Sequence, residues 1–231
     1  MVTFKYHGFL GRTFLTLFLV AMIVVPGVSL GVDDLQRIRQ ELNNDDWNVR
    51  LAAVEKLSNR NDEDTIDLLI YVTQMRTEYW PVKIKAITLL GTSGNPRAIE
   101  PLLATFNDSF MNWECPSIKS YAAAALGNYK QDSRVLEALI AGVDDRELLT
   151  REASIQSLGK IGNSKAVPSL LHLLSDKSIT IRLTAVKSLE QIGDPQAIPY
   201  LKHVAENDSD AVVRSEAVSA LGNFHQGKGT N

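Results

Sequence analysis

One frame recurs six times along this chain, and it leaves few folds open. Each copy opens on a basic residue, five times behind an aliphatic one: Val49-Arg50, Val82-Lys83, Ile118-Lys119, Thr150-Arg151, Ile181-Arg182 and Val213-Arg214. The basic residues follow one another at 33, 36, 32, 31 and 32 positions. Three residues further on stands a small side chain: Ala53, Ala86, Ala122, Ser154, Ala185 or Ala217. Seven residues on stands a leucine: Leu57, Leu90, Leu126, Leu158, Leu189 or Leu221. Sixteen residues on, the five full copies carry Ile66, Ile99, Val135, Val167 and Ile198. Apolar residues spaced like Ala185, Leu189 and Ile192 share one helix face. Self-similarity at this period marks a stack of helical hairpins, because a lone hairpin cannot bury its apolar faces and gains a core only from its neighbours. The chain therefore reads as all-α, five helical hairpins plus a terminal half-repeat, over residues 32–224.

The punctuation of the frame suggests how each hairpin is built. Gly91, Gly127, Gly159 and Gly222 directly follow four of the leucines. A glycine there is expected to take the left-handed conformation and end the first helix. Pro168 and Pro199 sit where a second helix should begin and where a missing N–H costs little. Asp145, Asp176 and Asp208 each precede an arginine of the frame by six residues and are expected to cap the incoming helix or pair with that arginine. The basic ladder from Arg50 to Arg214 is thus expected to tie one hairpin to the next rather than to bind an anionic partner. Trp47 and Trp80 stand three residues before the basic position and are expected to be packing residues. Asp33 to Asn43 reads as a capping helix with Leu35, Ile38 and Leu42 on one face, and residues 225–231 read as a loose tail.

The stretch Ile181-Arg182-Leu183-Thr184-Ala185-Val186-Lys187-Ser188-Leu189, with Gly193-Asp194-Pro195-Gln196-Ala197-Ile198-Pro199 after it, resembles the HEAT-like repeats named from phycobilin lyases. The resemblance covers residues 45–224 and implies a right-handed α–α superhelix whose second helices line a concave groove. It also implies, for most such proteins, a scaffold that binds a protein or peptide partner. On that groove the candidate contact residues are Tyr71, Glu137, His172, Tyr200 and His203. Five hairpins at roughly 8–10 Å each would make it about 50 Å long, suited to an extended peptide or a helix. Some relatives are enzymes, so an enzyme or enzyme accessory related to HEAT-repeat lyases or hydroxylases is the alternative. A self-associating structural envelope protein is a third reading. Deoxyhypusine hydroxylase holds a di-iron centre through His-Glu pairs, whereas His7, His172, His203 and His225 are followed here by Gly, Leu, Val and Gln. That motif is absent, and the repeats alone imply no bilin site.

Composition narrows the chemistry further. The net charge is -3, and without residues 1–31, which hold only Lys5 and Arg12 as fixed charges, it becomes -5. A mildly acidic chain offers no general attraction to phosphate backbones, so no nucleic-acid partner is expected. The single Cys115 cannot form an intramolecular disulfide. His172 and His203 hold equivalent places on neighbouring second helices, but no third ligand of suitable spacing accompanies them. No phosphate loop or nucleophile setting occurs. No metal, cofactor or catalytic residue is therefore assigned, and the chain is read as non-enzymatic.

Two segments stand outside the frame. Residues 1–31 place Lys5 and Arg12 before the apolar run from Phe14 to Val25, then Pro26-Gly27, and small residues Ser29 and Gly31 ahead of Asp33 and Asp34. This is the pattern of a secretory signal. The 19 residues from Thr13 to Gly31 are also just long enough for an uncleaved membrane anchor. On either reading the repeats are exported to the periplasm or envelope, touching the membrane only through this segment if it is kept. The second segment is the longer link between the second and third repeats, which carries Phe110, Met111 and Trp113. Phe110 or Trp113 either folds back onto the core or forms a binding lip at the groove edge.

Overall fold

The computed structural model describes residues 32–108 and 117–226. Twelve α-helices run through these residues in two rows. The first row holds the helices that carry the basic frame: α2 (Trp47–Glu55), α4 (Trp80–Ser93), α6 (Ser117–Leu126), α8 (Leu148–Ile161), α10 (Ile179–Ile192) and α12 (Ala211–Gln226). The second row holds α1 (Val32–Glu41), α3 (Glu63–Gln74), α5 (Ile99–Asn107), α7 (Ser133–Gly142), α9 (Val167–Leu171) and α11 (Ile198–Asn207). Helix α9 continues as a tighter 3-10 turn over His172–Ser175. Each first-row helix stacks on the one before it, and each second-row helix packs against the first-row helix that follows. The result is an α-solenoid. Helix α1 supplies the second-row partner of α2 and closes that end with Ile38 and Leu42 buried beneath it. Helix α12 continues through His225 and Gln226.

Frame residues fill the core. All six small residues at the third position are fully buried, as are Leu57, Leu90, Leu126, Leu158 and Leu189. Leu221 is only partly covered. The fourth copy departs from the aliphatic rule with Thr150, which is fully buried and whose hydroxyl has no partner among the described residues.

The glycines behave otherwise than the sequence suggests. Gly91 and Gly159 lie inside α4 and α8, not at their ends. They are sites of close approach: a Cβ on Gly91 would lie 2.6 Å from the Ala125 Cβ, and one on Gly159 would lie 2.8 Å from the Ser188 Cα. Gly127, just beyond α6, approaches Ser157 in the same way. The first helices are ended instead by Gly94, Gly162 and Gly193, with φ of 66°, 74° and 70°, and by Asn59 with φ 63° in the first repeat. That backbone conformation suits glycine, and asparagine after it. The next residue then caps the coming turn, Asn95, Asn163 and Asp194 each accepting from the backbone N–H two residues on.

The ladder also differs in register. Four of the six basic side chains reach forward to an acid just ahead of the next first-row helix: Arg50 to Glu78, Lys119 to Asp145, Arg151 to Asp176, and Arg182 to Asp208. The aspartate six residues earlier contributes its backbone carbonyl, which accepts from Arg182 at 2.8 Å (Asp176) and from Arg214 at 2.7 Å (Asp208). The same carboxylates fold over their own loops, Asp145, Asp176 and Asp208 accepting from the N–H two residues on. Each pair is therefore a charge-assisted clamp between adjacent units, which supports the tying role and corrects the pairing. Trp47 is partly buried against the core, but Trp80, at the first position of α4, is 47% exposed, its ring tilted against Tyr79 with centroids 5.6 Å apart.

Candidate functional site

The second-row helices present the candidate contact residues to solvent. Tyr71 on α3 is 47% exposed and Tyr200 on α11 is 51% exposed. Glu137 on α7, His172 and His203 are exposed as well. Helical spacing sets this outcome: α11 buries Leu201 and Val204 towards α12 and turns Tyr200 and His203 outward. His172 lies 3.2 Å from the Asp144 carboxylate, and the Nδ1 of His203 lies 3.2 Å from the Asn207 side-chain amide. Phe110 and Trp113 fall outside the described residues.

Two of these residues share a concavity. Tyr200 and His203 line a cleft of about 550 Å³ between the α9 segment and α11, with Leu171, Leu174 and Pro199 as its apolar wall. The Arg182–Asp208 clamp lies in the same cleft, with Nε–Oδ2 and Nη2–Oδ1 distances of 2.8 and 2.9 Å. The Arg182 hydrogen bond holds the Asp208 carboxyl below its ordinary range against the opposing effect of burial, and the same bond raises the guanidinium. The cleft thus has a fixed ionic floor, an apolar side and a phenol at its mouth. It can hold an apolar or aromatic side chain while its edges accept and donate hydrogen bonds. Tyr71, Glu137 and His172 do not line it; they extend the exposed row along α3, α7 and the turn after α9.

The cleft wall was not marked by the sequence reading. Leu171, Leu174 and Pro199 look like ordinary repeat residues, and only the angle between α9 and α11 leaves them facing a gap. A second set of exposed apolar residues, Tyr79, Trp80, Leu148, Leu149 and Ile179, lies at the beginnings of first-row helices. Among the described residues no group of three or more His, Cys, Asp or Glu is placed to hold a metal ion, and no helix is long and apolar enough to cross a membrane.

The family model of HEAT repeats matches residues 35–112, 109–178 and 149–222, which together span the solenoid. The chain belongs to the HEAT-repeat family. Among solved structures, this HEAT-repeat protein is similar to the complex of CpcE and CpcF of phycocyanin lyase from a Nostoc species. That similarity is 23% identity over 86% of this chain and 79% of the other, with a TM-score of 0.56. It is also similar to a designed armadillo repeat protein in complex with a (KR)4 peptide, at 20% identity over 82% of this chain and 99% of that one, TM-score 0.54. An archaeal HEAT-like repeat protein from Thermococcus onnurineus gives 16% identity, 83% and 87% coverage, and a TM-score of 0.52. At these identities the likeness is one of fold. No curated protein matches the chain.

Proposed function

We propose that this HEAT-repeat protein is a non-enzymatic interaction scaffold of the cell envelope that binds a protein or peptide partner along its second-row helices. The observation that carries the reading is the cleft at Tyr200 and His203, where a half-exposed phenol stands over an apolar wall between two repeats. Aromatic residues beside dry pockets are where binding energy concentrates. Repeats present such surfaces as a continuous row, so one anchoring side chain in this cleft would align the rest of a partner along Glu137, His172 and Tyr71. The designed armadillo protein in complex with a (KR)4 peptide supports the use of this architecture for peptide partners. The envelope address rests on the apolar, positively headed residues 1–31.

The test is affinity capture from envelope extract with the intact protein and with Tyr200→Ala plus His203→Ala. Both side chains are exposed, so the double variant is expected to keep its helical circular dichroism and lose its captured partner. Capture of every partner unchanged by the double substitution would overturn the groove reading. Recovery of the protein from the cytosolic fraction with residues 1–31 intact would overturn the address.

A further inference from the structure

The side chain that the cleft at Tyr200 accepts is set by what its lining still has to offer. Two carboxylates and one guanidinium make the floor. Arg182 donates through all three of its nitrogens, from Nε and Nη2 to the Asp208 carboxylate and from Nη1 to the Asp176 carbonyl. Asp208 also accepts from the Asp210 N–H at 2.8 Å, while the Asp176 carboxylate accepts from Arg151 and from the Ser178 N–H at 2.7 Å. A carboxylate offers about four lone-pair sites, so both acids keep acceptor capacity after these bonds. Their charge is spent. Asp208 is matched by Arg182 and Asp176 by Arg151, and none of the four side chains is more than 15% exposed. The wall of Leu171, Leu174, Pro199 and Val204 is apolar, and the half-exposed Tyr200 ring stands at the mouth.

Building on the reading that the partner binds at this cleft, we propose that the cleft is a seat for a tryptophan side chain, presented by the partner. The alternatives fit the lining less well. Lysine or arginine would bring a cation to carboxylates that are already matched, and a charge taken from water without its own partner is costly. Leucine or phenylalanine would cover the wall but strip water from the carboxylate oxygens and return no donor. Tryptophan covers the wall with a large ring and carries one N–H, which can only donate. The indole lies against Leu171, Leu174 and Pro199, beside the Tyr200 ring, and its N–H donates to the floor. His203 serves the main chain of the same residue. Its Nδ1 accepts from the Asn207 amide, so Nε2 carries the ring proton and is a donor for a backbone carbonyl. A volume of about 550 Å³ suits one large side chain together with the main chain that bears it.

The test titrates the isotope-labelled full chain with N-acetyltryptophanamide and follows its backbone amide resonances. Saturable shifts are expected, confined to residues 171–176 and 200–209, with an affinity on the order of 1 mM. The N-methylindole counterpart and N-acetylphenylalaninamide should bind about tenfold more weakly, the loss of one hydrogen bond to a charged group, and the lysine amide should give no shifts. These comparisons use one unaltered protein, so misfolding cannot imitate their result. Ser175→Trp, at an exposed position lining the cleft, should fill the seat from within and abolish the shifts while keeping the native circular dichroism. No shifts from the tryptophan amide, or equal binding of its N-methyl counterpart, would overturn the proposal. If capture from envelope extract still depends on Tyr200 and His203 while the amide fails, this inference falls and the scaffold reading stands. If the amide binds but capture ignores both substitutions, the scaffold reading falls and the seat stands.

Discussion

Gly91 and Gly222 occupy the same place in the repeat, eight residues after the basic position, and the same substitution should move stability in opposite directions at the two. Replacing glycine by alanine inside a helix ordinarily stabilises it by about 0.5–1 kcal/mol, because the unfolded chain loses freedom and the helix gains a better former. At Gly222 nothing opposes that gain, since a Cβ there meets no atom within 4 Å. At Gly91 the new methyl would stand 2.6 Å from the Ala125 Cβ and 2.7 Å from its Cα. Carbon atoms prefer separations of about 3.5–4.0 Å, so α4 and α6 must part by about an ångström. The second contact is backbone, so no rotamer change relieves it. Overpacking of this kind costs about 1–3 kcal/mol, which leaves Gly91→Ala destabilised by up to about 2.5 kcal/mol after the helix gain. The helix gain is common to both, so the two variants should differ by about 1–3 kcal/mol in urea denaturation, or several degrees in melting temperature at about 2–4 °C per kcal/mol for a chain of this size. Stabilisation of the same sign at both positions would show that the first-row helices do not touch at Gly91, and the account of the glycines would fail with it.

Two other perturbations probe the core and the ladder. Thr150→Val restores the aliphatic residue that the other five copies carry and removes a buried hydroxyl without a partner, so it should stabilise the chain by about 1 kcal/mol in the same denaturation assay. Asp208→Asn leaves the Arg182 guanidinium, with 9% of its side chain exposed, without its counter-charge, and should destabilise the chain by about 2–4 kcal/mol. Because the Asp208 carboxyl is held below its ordinary range in the fold, its contribution is complete above the unfolded value near pH 4 and fades as pH falls through the lower folded value. The variant should therefore lose less stability than the parent as pH falls below about 4, and an equal acid loss in both would refute the assignment.

Much of this protein was legible in its sequence. The repeat predicted the order of the helices among the described residues and the burial of the small residues and of five of the six leucines, and the family resemblance pointed to the residues that α11 turns to solvent. These properties follow from helical periodicity and from the need of each hairpin to bury one face, and both are local. The tertiary structure decided relations between residues 25 to 34 positions apart: which glycine admits a neighbouring helix, and which acid receives Arg50, Lys119, Arg151 and Arg182. It also decided that Trp80 remains exposed and that α9 and α11 leave a cleft under Tyr200. Those outcomes depend on the angle and separation at which one hairpin stacks on the next. That geometry is set by the summed contacts of a whole interface, so no single residue in the sequence announces it.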